Sequence, residues 1–141
     1  MKEENRFIKL SRKDVSEGVE RKGNLDYLSW GVAWTKLCED YPDSTYFFGE
    51  KEVFPDGSVM VEVGVTVQGL THVVRLPVMD NRNKSIVSPS SRDVSDANMR
   101  CMVKAVAMHG LGLSLYTKVK GLVDETPFDV VSRLIDSGDH S

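Results

Sequence analysis

Valines occupy alternate positions in the middle of the chain. In the segment SVMVEVGVTV, residues 58–67, every odd-numbered residue is a valine, and a period of two places them all on one face of a β-strand. Strand-like segments lie on both sides of it: STYFFGEKEVF before the turn signal PDG, and LTHVVRLPVMD after Gln68-Gly69. The pattern predicts an antiparallel meander of three strands, the third of which ends at Pro77.

Two segments show the helical period instead. The first should begin after Ser29 as N-cap and end before Pro42, with an apolar stripe formed by Trp30, Ala33, Trp34, Leu37, Cys38 and Tyr41. We expect its two tryptophans to pack against the sheet, with base stacking as the alternative. The second helix should run from about Asp93 to His109, with Ser91 or Asp93 as its cap and Gly110 beyond its last turn. The stripe of this helix that should pack on the valine face contains residues 97, 101, 105 and 108.

The order helix, meander, helix predicts an α+β domain. We expect an antiparallel β-meander of three or more strands packed against a long helix, with an additional N-terminal helix. Residues 1–24 are interpreted as an N-terminal arm and residues 25–120 as the core domain. Residues 121–141 should form a short C-terminal helix or a flexible tail, and Leu113–Tyr116 should add a further edge segment.

Composition limits the possible function classes. The chain has 141 residues, 40% of them hydrophobic, and a formal net charge of −3. That charge excludes a generally basic nucleic-acid-binding protein, so any anion site must arise locally. Cys38 and Cys101 are too few for a disulfide framework and are interpreted as buried reduced thiols. The charged N-terminus and the lack of a long apolar run predict no signal peptide, no membrane span and a cytoplasmic protein.

Motifs of common catalytic sites do not occur: there is no HExxH, CxxC, Walker A loop or GxSxG. We therefore expect neither an enzyme nor a cofactor. Asp80, Asp93 and Asp96 could together hold a divalent cation, and a metal-dependent nuclease built on them is the enzymatic alternative. His109, at a helix C-terminus, is interpreted as a capping residue rather than a base.

Basic residues of the second helix are more informative. Arg100 and Lys104 lie four positions apart and share one helix face. They either cover apolar surface with their stems in a solvated face or point into a groove that holds a phosphodiester chain. In the second case Arg82, Lys84 and Arg92, in the loop before the helix, would form the other wall. Such a groove would bind backbone without reading bases, and its affinity would fall steeply with salt.

The blocks NLDYLSWGVAWTKLCEDYPDSTY, residues 24–46, and ANMRCMVKAVAMHGLGLSLYTK, residues 97–118, resemble phage single-strand annealing proteins of the Sak type. These are similar to Redβ, RecT, Erf and the eukaryotic Rad-type annealing mediator. The resemblance covers roughly residues 22–120. It implies ATP-independent binding of single-stranded DNA and annealing of complementary strands in phage homologous recombination. It also implies a homo-oligomeric ring or filament, with DNA in a basic groove between a hairpin and the long helix.

The resemblance also implies roles for particular residues and partners. Arg100 and Lys104 match the basic positions of the family's long helix, and Arg82, Lys84 and Arg92 match by place. Arg21 and Lys22, just before the first block, are further DNA-binding candidates. A single-strand binding protein or a phage exonuclease is implied as a partner in the bacterial host cytoplasm, although the short C-terminal segment puts such recruitment in doubt. The alternative is a protein-interaction module on the same fold that binds a host or parasite protein.

Overall fold

The structure, a computed structural model, describes residues 5–22 and 25–117. Residues 1–4, 23–24 and 118–141, and with them the predicted C-terminal segment 121–141, lie outside this description. The helices of the described residues are α1 (Arg6–Arg12), α2 (Trp30–Asp40), α3 (Ser91–Met108) and α4 (Ser114–Thr117), and a 3-10 turn spans Ser16–Gly18. The strands are β1 (Val19–Lys22), β2 (Leu25–Leu28), β3 (Thr45–Phe48), β4 (Glu52–Val53), β5 (Val59–Val67) and β6 (Leu70–Pro77).

The larger sheet has β5 at its centre. β6 pairs along one side of β5, and β3 and β4 pair along the other side, all antiparallel. The predicted meander is therefore confirmed, with its first strand divided in two. The hydrogen bond from the Gly49 N–H to the Glu62 carbonyl, at 2.8 Å, is the last one between the β3 segment and β5. Pairing with β5 resumes at Glu52.

The valine face of β5 forms the centre of the core. Its five valines, at positions 59, 61, 63, 65 and 67, are at most 8% exposed. Ala97, Cys101 and Ala105 of α3 are buried on the same core, as their stripe predicts, because small side chains let the helix approach the sheet closely. Met108 is 48% exposed, so its predicted place on this face is wrong; it borders an open cavity at the end of α3.

The two cysteines are free, as predicted. Cys101 is fully buried, whereas Cys38 is only partly buried. The Cys101 thiol donates to the Val74 carbonyl at 3.2 Å, and burial raises its pKa to about 11. Cys101 is therefore a neutral, structural thiol.

Both ends of α3 are fixed by local contacts. Ser90 is the N-cap, one residue before the predicted cap, and its hydroxyl accepts from the Asp93 N–H while the Asp93 carboxylate accepts from the Ser90 N–H. Gly110 has a φ of +119°, which agrees with the predicted glycine stop. The predicted edge segment over Leu113–Tyr116 is wrong, because the chain turns into α4 after Gly112, whose φ is +77°.

α2 packs on the core through part of its predicted stripe. Ala33 and Leu37 are fully buried, and Trp34 meets Tyr46 edge to face with 5.2 Å between ring centroids. Trp30 is 53% exposed, so the prediction of a core tryptophan is wrong at this position. As the first residue of α2, it borders an open groove instead.

The N-terminal segment contributes to the same domain. α1 buries Leu10 completely, and Val15 joins the same core cluster. β1 and β2 form a separate antiparallel hairpin. The whole is the predicted α+β architecture, in which a β-meander packs against the long helix α3.

Candidate nucleic-acid interface

An open groove runs beside α3, between the β1–β2 hairpin and the loop 78–90 that joins β6 to α3. It consists of two adjoining hollows of about 670 Å³ and 510 Å³. We call them the N-terminal part, beside the first turns of α3, and the C-terminal part, which reaches Lys104 and α4. The two parts share five lining residues, which are Tyr27, Leu28, Met79, Arg100 and Val103.

Arg100 lies at the junction of the two parts. Its guanidinium donates from Nη2 to Asn83 Oδ1 at 3.1 Å and from Nη1 to the Met79 carbonyl at 3.5 Å. The guanidinium carbon is 5.5 Å from the centroid of the Tyr27 ring, a cation–π distance. These contacts orient the side chain and engage only some of its five N–H donors. Arg100 is thus a positioned cation that retains donors for a ligand.

The other basic residues of α3 also line the groove. Lys104, one turn beyond Arg100, is exposed in the C-terminal part. Arg92, in the first turn of α3, is exposed in the N-terminal part. The structure therefore brings these three candidate residues along one side of a single groove.

Arg82 and Lys84 are exposed at the tip of the loop 78–90 and do not line either part of the groove. The Asp80 carboxylate accepts from the backbone N–H groups of Lys84 at 3.0 Å and of Arg82 at 2.8 Å. These hydrogen bonds hold the pKa of Asp80 below its usual range and fix the turn. The two cations therefore flank the groove at its rim, while their neighbours Asn81 and Asn83 line it.

Arg21 and Lys22 are the two DNA-binding candidates on the β1–β2 hairpin. Arg21 is exposed on β1, and its Nη1 is 3.3 Å from Asp26 Oδ1 on the facing strand. Because Asp26 lines the C-terminal part of the groove, this pair offsets a carboxylate there. The side chain of Lys22 lies outside the described residues.

Carboxylates are unevenly distributed in the groove. The N-terminal part is lined by Arg92 and Arg100 together with Glu20, Asp80, Asp93 and Asp96. In the C-terminal part, Arg100 and Lys104 face a single carboxylate among the described lining residues, that of Asp26. The basic character of the groove is therefore concentrated between Arg100 and Lys104.

The suggested cation site on Asp80, Asp93 and Asp96 is not formed. Among residues 5–22 and 25–117, no group of three or more His, Cys, Asp or Glu side chains could hold a metal ion. Asp80 and Asp93 instead accept hydrogen bonds from the backbone of their own turns. These two carboxylates stabilise the loop and the helix start.

Aromatic lining of the groove was given by the sequence only as the alternative for Trp30 and was not predicted for Tyr27. Tyr27 and Trp30 both border the N-terminal part of the groove, and the half-exposed Trp30 ring offers a stacking surface. The signal was the Tyr-Leu-Ser-Trp run at the start of α2. Alternation in β2 turns Leu28 into the core, so its neighbour Tyr27 faces the groove.

His109 lies apart from the groove. It is the C-cap residue of α3, as predicted, but its ring is 2% exposed, and Nε2 donates to the Val65 carbonyl at 2.8 Å. Burial lowers its pKa, which favours the neutral imidazole. Its ring links the end of α3 to β5.

Comparison with protein families gives one clear match. Residues 5–132 match the model of the Sak single strand annealing protein family. No match to the chain is found among curated proteins or among solved structures. No helix within the described residues is long and apolar enough to cross a membrane. Because the family model spans most of the sequence, including the groove and the whole described core, the chain belongs to the Sak single-strand annealing protein family.

Proposed function

We propose that the protein binds single-stranded DNA by its backbone in the groove and anneals complementary strands without ATP, in phage homologous recombination. Single-strand annealing in recombination is the activity of its family. The observation that carries the finer proposal is Arg100, a cation oriented by the Met79 carbonyl and Asn83 at the junction of both groove parts. Fixed cations of this kind bind phosphates without any nucleotide cofactor.

Unequal charge along the groove suggests how a strand lies in it. Phosphates are placed against Arg100 and Lys104, where carboxylates are fewest. The N-terminal part offers the rings of Tyr27 and Trp30, on which bases can stack. Stacking on base faces and contacts with phosphates both leave the pairing edges open, as annealing to a second strand requires.

Cations at the rim have a different role. Arg82 and Lys84 at the loop tip extend the positive potential beyond the groove, and Arg21 on the hairpin offsets the carboxylate of Asp26 at the groove wall. Lys22 is included with them from its place in the sequence. Because the side chains of Arg82, Lys84 and Arg21 are exposed, their electrostatic interactions with DNA are screened by salt.

Assembly into a ring or filament is part of the proposal. The chain carries a net charge of −3, and one groove offers few cations, so repeated grooves are needed for strong binding. Exposed apolar side chains of the larger sheet, such as Phe47 and Val73 at 46% and 51%, are available for contacts between copies. A single-strand binding protein or a phage exonuclease in the bacterial cytoplasm is the proposed partner class.

Arg100→Gln and Lys104→Gln test the groove. Each variant should weaken binding of a labelled oligothymidylate and lower the slope of log affinity against log salt by about 0.7, the value for one phosphate contact with a single strand. Fluorescence anisotropy at several salt concentrations measures this, and a strand-pairing assay without ATP measures annealing. Mass photometry of the wild type with and without the oligonucleotide should show a ring or filament.

The matched control is Lys51→Gln, which removes an exposed cation of the β3–β4 connection outside the groove. It should bind like the wild type. Wild-type affinity in both groove variants, at unchanged melting temperature, would contradict the placement of DNA at these residues.

The alternative function is a protein-interaction module on the same fold. It is favoured by the carboxylates of the N-terminal part, which repel phosphates, and by the exposed apolar residues of the sheet. No binding of single-stranded DNA by the wild type, at either low or moderate salt, would support this alternative.

A further inference from the structure

A second open cavity lies at the far end of α3 and has a volume of about 870 Å³. Within the described residues, it shares no lining residue with either part of the groove. Its walls come from α1, the end of α2, the β5–β6 turn and the last residues of α3. Polar and basic side chains dominate this wall, among them Arg6, Lys9, Gln68, His72 and His109.

Arg6 and Lys9 are held on the same side of α1. They lie three residues apart and therefore on one helix face. Arg6 Nη1 donates to Gln68 Oε1 at 3.0 Å, which ties α1 to the β5–β6 turn. Lys9 Nζ is 5.4 Å from the centroid of the Tyr41 ring. Both side chains are thus oriented at the cavity wall, and these contacts with described residues engage only part of their N–H donors.

The charges of the cavity do not balance. Asp40 is the one carboxylate among the described lining residues, and its Oδ2 is 3.1 Å from Lys13 Nζ, which does not line the cavity. Lys13 Nζ also lies 2.8 Å from Glu39 Oε1, so the negative charge of Asp40 is partly offset from outside the cavity. The positive charges of Arg6 and Lys9 have no comparable carboxylate partner among the lining residues, so the cavity favours an anion.

His109 adds an independent observation. Its Nε2–H donates to the Val65 carbonyl, so Nδ1 carries a lone pair, and within the described residues this buried atom has no hydrogen-bond partner. The His72 ring stands beside it, with 4.5 Å between ring centroids. A buried polar atom without a partner carries a free-energy cost unless a further polar group reaches it. This unpartnered acceptor belongs to a residue of the cavity wall, and the Nδ1 atom itself is buried.

We propose that this cavity is a second phosphate-binding site. Arginine matches the geometry of phosphate oxygens, a lysine ammonium adds a point charge, and an imidazole N–H of His72 supplies a further donor. Arg100 and His109 are nine residues apart on and just beyond α3, which corresponds to about 14 Å along the helix axis. A phosphate here is therefore held separately from a strand in the groove. Only the expected source of this phosphate, a nucleic-acid backbone that lies outside the groove, rests on the proposed function.

Inorganic phosphate is the first probe, and it needs no DNA binding. Added to the full chain at constant ionic strength, it should shift the imidazole NMR signals of His72 and His109 in a saturable way. Arg6→Gln combined with Lys9→Gln should abolish the shifts, and Lys51→Gln should leave them unchanged. Because Met108 is about half-exposed at the cavity, Met108→Glu places a carboxylate there and should abolish the shifts too. The absence of saturable shifts in the wild type overturns the proposal.

An oligothymidylate titration then separates the possible sources of phosphate. If the ligand is a polynucleotide, the double variant should lower the salt slope by about 1.4, twice the value of one phosphate contact with a single strand. An unchanged slope with intact phosphate shifts supports the site with a free phosphate anion as its ligand. If the wild type shows phosphate shifts but binds no oligonucleotide, the proposed function fails and the cavity proposal stands. If the wild type binds the oligonucleotide normally but shows no phosphate shifts, the cavity proposal fails and the proposed function stands.

Discussion

Arg100 connects three parts of the molecule through one side chain. It extends from α3 to the carbonyl of Met79, to the Asn83 amide and to the Tyr27 ring on the hairpin. A guanidinium suits this position because its planar fork donates to several acceptors at once and also stacks on a ring. A lysine would keep the charge but lose the fork, so the orientation of the cation would be less defined.

Trp30 is the residue through which base stacking can be tested. Trp30→Ala should weaken binding of single-stranded DNA by about 1–3 kcal/mol, the range for one stacked base. The fold should be little affected, because the ring is 53% exposed. Anisotropy titrations with oligothymidylate measure the change in affinity.

Phe54→Ala is the control for this variant, since Phe54 is a partly exposed aromatic residue that does not line the groove. It should bind DNA like the wild type. Equal affinities of both variants and the wild type would show that no base stacks on Trp30.

The candidate site was only partly predictable from its residues. The i, i+4 spacing of Arg100 and Lys104 placed them on one face, and both line the groove. Sequence proximity could not show that Arg82 and Lys84 lie at the rim, because the Asp80 turn decides their direction. The apolar stripe of α2 predicted a buried Trp30, since periodicity identifies a face but not where the covering sheet ends.

At the scale of elements, α3 both covers the core and forms the groove. Its small stripe of Ala97, Cys101 and Ala105 packs toward the sheet, and its basic residues lie on another face. The capping box at Ser90 and Asp93 fixes where the helix begins, and the loop that follows β6 ends at the same point. The cap therefore positions Arg92 as well as the helix.

Ser90→Ala tests this cap. Loss of the hydroxyl leaves the Asp93 N–H without its acceptor, and removal of such a cap typically costs about 1 kcal/mol of the free energy of unfolding. Urea denaturation measures the loss. Ser95→Ala is the matched control: Ser95 is exposed within α3, where alanine is the better helix former. A Ser90→Ala variant as stable as the wild type would contradict the role of the cap.

The larger sheet, α2 and α3 were predictable from the sequence, whereas α1 and the β1–β2 hairpin were not. Five alternating valines predicted the central strand and its buried face, because the β-strand is the regular structure whose side chains repeat with a period of two. The break between β3 and β4 and the turn into α4 were not predicted. Both depend on backbone contacts across the fold, such as the hydrogen bond from Gly49 to Glu62, which leave no pattern in the sequence.

Across the whole molecule, net charge and local charge point in different directions. The chain is acidic overall, yet cations are concentrated at the Arg100–Lys104 part of the groove and around Arg6 and Lys9. Under the proposed function, nucleic acid is therefore attracted by these local cations rather than by the field of the whole protein. In the proposed assembly the cations of successive copies would add, so both the affinity and its dependence on salt should increase with the number of copies.

Stability of the whole molecule should depend on His109 in mild acid. Burial lowers the pKa of this imidazole below the ordinary 6.5, and the nearby His72 and Arg6 lower it further. The unfolded chain therefore takes up a proton first as the pH falls, and the stability that His109 contributes is complete above about 6.5 and lost below that value. Carboxylates such as Asp80, whose pKa is lowered from the ordinary 3.8 by backbone hydrogen bonds, act in a more acidic range. The urea midpoint of the wild type should decrease as the pH is lowered from 7.5 to 5. His109→Gln should reduce this decrease, because a neutral amide can still donate to the Val65 carbonyl.

His72→Gln, which leaves the buried ring of His109 in place, is the control, and it should keep most of the pH dependence. A wild-type midpoint that does not change over this range would contradict a buried neutral His109.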